Sequence, residues 1–215
     1  EATIAIEDKN FYQNSGFDIL AIIRAAVADL SGQPLQGGST ITQQLIKSTL
    51  LSPEITIKRK IKEIILAFWT EKTYSKDQIL EMYFNQVPYG GTAWGVEAAS
   101  EVYFNKKTKD LDLPESAFLA GLTRAPTTYS PFGESSNLWK KRQVEVLERM
   151  AELKYITPKQ KQEAQKKELI FSDQQVPLYA PHFVMYVKEM LTKKYGLGMV
   201  EKGGLKVVTS IDLKT

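Results

Sequence analysis

Apolar residues recur every three to four positions along most of this chain, the spacing of one helix face. In "FDILAIIRAAVADLSG" they fall at Ile19, Ile22, Ile23, Ala26, Val27 and Leu30, with Asp18 placed to cap the start and Gly32 the end. "STITQQLIKSTLL" opens with Thr40 and Gln43, the spacing of a capping box. "TIKRKIKEIILAFWTEKTY" repeats at Ile57, Ile61, Ile64, Ile65 and Phe68. Ser75 and Gln78 start the next helix, through "ILEMYFN". "WGVEAASEVYF" and "LPESAFLAGL" follow, the second with Pro114 in its first turn. A long amphipathic helix is predicted over residues 136–153 and a shorter one in "ITPKQKQEAQ", capped by Thr157. "PHFVMYVKEMLTKKYG" is the last. Only "LKVVTSI", residues 205–211, alternates as a strand does. The pattern predicts a mainly α fold with a short strand at the C-terminus. There is no internal repeat.

Composition narrows the chemistry. The 215 residues suit one domain, or two lobes sharing a core. There is no cysteine, which excludes disulfides and thiolate metal sites, and His182 is the single histidine. A Ser-His-Asp machine or a multi-histidine zinc site is therefore disfavoured, and acid–base work falls to carboxylates. His182 lies outside every motif and reads as a packing residue. A net charge of +3 is too small to argue for a nucleic-acid partner. No apolar run approaches the roughly 20 residues that span a bilayer.

Four polar constellations stand against the helical scaffold. In "IEDKNFYQNSGFD", Glu7 and Asp8 directly follow an apolar segment; this is a solvated turn or a catalytic acid at an apolar wall. In "QGGSTITQQLIK", two glycines lead into a helix start whose free N–H groups suit an anion, or simply into a well-capped turn. In "KRKIKE", Arg59, Lys60 and Glu63 share one helix face, and Ile57, Ile61, Ile64 and Ile65 lie on another. Residues 45–62 carry Lys47, Lys58, Arg59, Lys60 and Lys62 against Glu54 alone, which leaves cations available to a phosphate. Finally, "ILEMYFNQVPYGGTAWG" crowds aromatics and amides around glycines; taken alone it favours core packing over a sugar site.

The order of these motifs is more specific than any one of them. "EDKNF…GFD", "GGSTITQQLIK", "RKIKE", "KDQILEMYFNQVPYG" and "ASEVYFNK…LDLPESAFLAGLTRAPTTYSPF" resemble, in order and spacing, the five motifs of the peptidoglycan glycosyltransferases, glycosyltransferase family 51. These form the polymerase domain of class A penicillin-binding proteins. The resemblance runs from Glu1 to about Phe132 and is weaker beyond. The ending "GGLKVVTSIDL" is similar to the segment that leads into a transpeptidase domain. The chain departs from the family pattern at Asn14, where many members carry histidine, and at Ile55, where many carry a basic residue.

The resemblance implies a lysozyme-like, mostly α head lobe and a small membrane-facing jaw at roughly residues 45–60. It implies a glycosyltransferase domain over residues 1–205, with 206–215 beginning a linker to a transpeptidase domain. An N-terminal membrane anchor is expected to be missing, and the location to be the outer face of a bacterial cell membrane. The implied reaction is inverting: a lipid-diphosphate-linked glycan passes to the 4-hydroxyl of lipid II, and polyprenyl diphosphate leaves. Glu7 matches the family's first glutamate, the general base, and Glu63 the second. Asp8 then orients rather than catalyses. Asp8, Ser39, Thr40, Gln43, Gln44, Lys47, Arg59 and Lys60 are expected to hold substrate. Glu63 either orients Arg59 and Lys60 or binds a divalent cation, Mg or Mn, with the diphosphate. Moenomycin-type inhibitors are expected at the donor site. Lys76, Glu81, Tyr83 and Asn85 match the fourth motif in a mostly structural role. A lysozyme-type hydrolase and a non-catalytic lipid-diphosphate binder are the alternatives.

Overall fold

The computed structural model describes residues 1–18, 38–51, 54, 56–91, 93–132, 137–172, 180–202 and 205–211. Contacts divide the chain into two compact units, residues 1–172 and 173–215. The expected boundary at residue 205 falls inside the second unit. The helix expected from Asp18 to Gly32 lies almost wholly outside the described residues.

In the first unit, α1 spans Ala2–Glu7, α2 Ile41–Thr49, α3 Ile57–Thr73, α4 Lys76–Gln86 and α5 Val96–Phe104. A 3₁₀ turn at Thr108–Asp110 leads to α6 (Leu113–Leu122), α7 (Leu138–Glu152) and α8 (Pro158–Lys166). Short polar residues start these helices by satisfying end N–H groups. Thr40 with Gln43, Ser75 with Gln78, Asp112 with Glu115 and Thr157 with Gln160 all form complete capping boxes. The apolar segment that begins the chain is a short helix, and Glu7 is its last residue.

Helix α6 is apolar nearly all round and buried along most of its length, as a central helix should be. It packs on α7, and α1 packs on both. Ala2, Ala5, Ala117 and Ala120 are buried at this junction, and their small side chains let the helices approach closely. A second core gathers Ile4, Phe11, Ile41, Leu45, Ile79, Tyr83 and Tyr89 around α2 and α4. Thus α1 contributes to both cores, and its last residue is held from two sides. The aromatic turn after α4 is core, as its composition favoured: Tyr89 and Ala93 are buried, and the Tyr103 hydroxyl donates to the Tyr89 carbonyl at 2.8 Å.

Helix α3 is turned the other way round from an ordinary amphipathic helix. Its buried residues are Glu63 and Ala67. Its apolar face is open instead: Ile57 is 81% exposed, and Ile61, Ile65 and Trp69 are also exposed. The inward row is Arg59, Glu63, Ala67 and Glu71, spaced four apart. The chain before it is fitted to that row. Gly16, at φ +90°, lies so close that a Cβ there would stand 2.7 Å from the Ala67 carbonyl oxygen.

The second unit contains α9 (Pro181–Tyr195) and α10 (Leu197–Lys202). His182 is exposed on α9, not packed as the sequence suggested. The C-terminal strand expected at residues 205–211 does not form. A strand needs a neighbour to take its backbone groups, and the single bridge among the described residues joins Pro88 to Trp94. No described helix is long and apolar enough to cross a membrane.

Candidate active site

Helix α2 serves two carboxylates. Near its middle, the Gln44 amide donates to Glu7 Oε2 at 2.8 Å. Just before its start, Ser39 Oγ accepts from Lys60 Nζ at 3.1 Å, and Lys60 also bonds Glu63. One nine-residue helix with its cap therefore links the Glu7 end of the site to the basic cluster of α3.

Glu7 sits in a cradle of donors from four elements. The Thr123 hydroxyl, at the end of α6, donates to Oε1 at 2.9 Å. Gln44 binds Oε2, and its own Oε1 accepts from the Tyr83 hydroxyl of α4 at 3.2 Å. Arg142 of α7 brings Nη2 to 3.9 Å from Oε1. The carboxylate side chain keeps 12% of its surface open, enough to meet a ligand. Burial first, and then the charge of Glu7, push the Tyr83 and Tyr89 hydroxyls well above the usual tyrosine range. Both phenols stay protonated at neutral pH, so Tyr83 remains a donor to Gln44.

Asp8 points elsewhere. Both of its oxygens accept from the Asn14 amide at 3.0 Å, and Oδ2 also takes the Ile41 N–H at 3.1 Å. Asn14 in turn accepts from Lys76 Nζ at 2.8 Å through its backbone carbonyl. Burial raises the Asp8 carboxyl above its ordinary value, against the lowering effect of Asn14, the Ile41 N–H and Lys76. Its oxygens are spent on the scaffold. Asp8 is thus a brace between the end of α1 and the start of α2, which corrects its expected place among the substrate-binding residues.

The same correction applies to Thr40 and Gln43. Both are buried in the capping box, and the Thr40 hydroxyl also donates to the Gly16 carbonyl at 2.7 Å. They shape the helix start and are closed off from solvent, although among the described residues Gln43 Nε2 has no partner. Lys47 is exposed on α2, three residues beyond Gln44, with no partner among the described residues. Asn14 holds a structural position, so the departure there is absorbed by the brace. Ile55 lies outside the described residues.

The basic cluster is built around Glu63, whose side chain is only 2% exposed. Lys60 contacts Oε1, and Arg59 Nη2 stands 4.0 Å from Oε2. Arg59 is mostly buried, yet among the described residues its Nε and Nη1 have no hydrogen-bond partner. Buried unpaired guanidinium N–H groups are costly unless an acceptor meets them. Glu63 neutralises and aims the two cations, the first of its two expected roles. The second does not fit: cations face both carboxylate oxygens, and no group of three or more acidic or histidine side chains gathers among the described residues. The donor set does not suit a divalent cation held by Glu63.

Sequence reasoning missed Thr123 and Arg142. Thr123 stands inside the quoted "LAGLTRAP" stretch, but a lone hydroxyl there carries no signal of its own. Arg142 belongs to a helix rich in charge, and nothing in its spacing marks it as the one cation that turns inward. A Cβ on Gly121 would stand 2.9 Å from Arg142 Cγ, so this glycine gives the stem its room.

Residues 1–151 match the family described as Transglycosylase. Penicillin-binding protein 1A of Aquifex aeolicus (strain VF5) is 45% identical over 213 residues, covering 99% of this chain and 29% of that protein. The protein of the same name from Neisseria lactamica is 42% identical over 98% of this chain and 26% of its own length. The crystal structure of penicillin-binding protein 1A from Haemophilus influenzae aligns with a TM-score of 0.49 and 26% identity, over 74% of this chain and 20% of that one. That score is too low to add to the sequence match. The chain spans under a third of the length of these curated relatives. With more than two thirds of its length matched, the chain belongs to the transglycosylase family, the glycosyltransferase domain of class A penicillin-binding proteins.

Proposed function

We propose that this chain polymerises peptidoglycan: it transfers a lipid-diphosphate-linked glycan onto the 4-hydroxyl of lipid II with inversion. The observation that carries the reading is the unpartnered Nε and Nη1 of Arg59, buried beside Lys60 and Ser39. Each of these N–H groups can donate to a phosphate oxygen, and a guanidinium is a strong charged donor to phosphate. A hydrolase of finished glycan releases no anion and has no use for such charged donors, so the lysozyme-type alternative is not favoured.

In the step itself, the acceptor oxygen attacks the anomeric carbon of the donor. The acceptor's proton passes to Glu7. The bond from the anomeric carbon to the diphosphate oxygen breaks, and its electron pair leaves on polyprenyl diphosphate. A single displacement inverts the centre and gives a β-1,4 link from an α-linked donor. Thr123 and Gln44 aim the Glu7 carboxylate, which fixes the base relative to the attacking hydroxyl; a positioned base contributes about 10²–10⁴-fold. Arg59 and Lys60 meet charge as it develops on the leaving group, and Glu63 keeps them in place. No step is assigned to a metal.

The lipid tail of such a substrate stays in a bilayer, which would put the enzyme at the outer face of a bacterial cell membrane. The exposed Leu50, Ile57, Ile61, Ile65 and Trp69, with Lys58 and Lys62 exposed among them, suit that surface. Moenomycin-type inhibitors, which carry a phosphate and a lipid tail, would compete at the same cations.

The test is Arg59→Ala. A lipid-linked diphosphate donor analogue should bind roughly 10-fold to 100-fold more weakly, since a charge-assisted bond contributes about 1.5–3 kcal/mol. An uncharged glycan of the same length should bind as before. Equal weakening of both ligands would mean that Arg59 supports the fold and holds no diphosphate.

A further inference from the structure

Arg142 is only 5% exposed, and its guanidinium spans two carboxylates. Nη1 donates to Glu145 Oε2 at 2.8 Å, one turn along α7. Nη2 stops 3.9 Å from Glu7 Oε1. Among the described residues Nε has no partner, and the group lies 5.9 Å from the centre of the Tyr129 ring. Among the described residues, Glu145 is the single close acceptor, and it is itself 57% exposed. The guanidinium is thus tethered from outside and kept short of the carboxylate it faces inside.

We propose that Glu145 is a positioning residue that holds Arg142 back from Glu7 and so preserves the basicity of the site. This rests on the reading of Glu7 as the base. A guanidinium pair closes normally to about 2.7–2.9 Å, so Arg142 stands about 1 Å short of one. Closing that gap would put it in competition with Thr123 for Oε1 and occupy the lone pairs on which the acceptor's proton must land. A closer cation also favours the charged carboxylate over the protonated form. Other groups face Glu7 too: Gln44 from α2, Thr123 from the end of α6, Tyr83 of α4 and Tyr89 beyond it. None of these titrates in the working range. Asp8, next in sequence, is turned onto Asn14 and Ile41, so its titration is common to every variant at Glu145.

The experiment measures lipid II polymerisation by the full chain between about pH 5 and 9, with Glu145→Gln, Glu145→Lys and wild type side by side. Glu145→Gln should lower kcat several-fold with KM unchanged, and move the acid limb about half a unit toward lower pH, the size expected of one partly exposed pair. Glu145→Lys, which repels the guanidinium, should move both further in the same direction. In an Arg142→Gln background, the Glu145 variants should no longer differ from one another. Profiles for Gln and Lys that overlay wild type would overturn the proposal, as would an unchanged Glu145 effect once Arg142 is gone. Near-normal turnover by Glu7→Gln would instead overturn the base assignment, whatever Glu145 does.

Discussion

At the scale of single residues, the site separates two acidic neighbours by what holds them. Glu7 has donors on both oxygens and an open edge, whereas Asp8 is buried and fully spent on Asn14 and Ile41. Adjacency in sequence gave no hint of this, because the helix ends between them and sends the side chains to different walls. The difference has a pH consequence. Burial raises the Asp8 carboxyl above its value in the unfolded chain. Between those two values the folded state binds more protons than the unfolded one, so stability falls as pH rises through that window. Asp8→Asn removes the titrating group. Wild type should therefore lose stability relative to Asp8→Asn as pH goes from about 4 to 7, at no more than about 1.4 kcal/mol per pH unit. Melting temperatures at the two pH values check it; a gap between the proteins that is the same at both would show that burial does not govern this carboxyl.

At the scale of elements, periodicity located the longer described helices well and left one face undecided. The capping signals at Thr40, Ser75 and Thr157 became helix starts, because those side chains satisfy end N–H groups whatever surrounds them. Which face of α3 turns inward was not legible. Spacing shows that apolar residues share a side but cannot show whether that side meets protein or something else. Here the Arg59, Glu63, Ala67 and Glu71 row turns inward because Gly16 and Ser39 are fitted to it, and the isoleucines are left outside. Their exposure in water is unfavourable by about 25 cal/mol per Å² of apolar surface, which a lipid interface would relieve. Ile61→Ser with Ile65→Ser should therefore cut binding to anionic vesicles about tenfold or more, with the melting temperature unchanged or raised. A large fall in melting temperature with unaltered vesicle binding would make this face part of a protein core.

At the scale of the molecule, the five motifs were readable as a set, and the proposed reaction would need from them a base, a diphosphate clamp and a frame that joins the two. In the structure, α2 provides that frame, touching Glu7 through Gln44 and Lys60 through Ser39. The Glu7 cradle was less legible, since Thr123 and Arg142 come from segments more than a hundred residues away that only the fold brings in. Which of its two expected roles suits Glu63 was not legible for the same reason: the sequence places it on one face with Lys60 and Arg59 without showing which is buried. The central claim is that Glu7 is the base in a transfer between lipid-linked sugars. It is tested most directly by following lipid II with wild type and Glu7→Gln at matched protein concentration. Wild type should build glycan strands and release polyprenyl diphosphate, while Glu7→Gln should be about 10² or more slower and still bind the donor analogue within a few-fold. Near-normal polymerisation by Glu7→Gln, or a wild-type protein that only cleaves finished glycan, would contradict it.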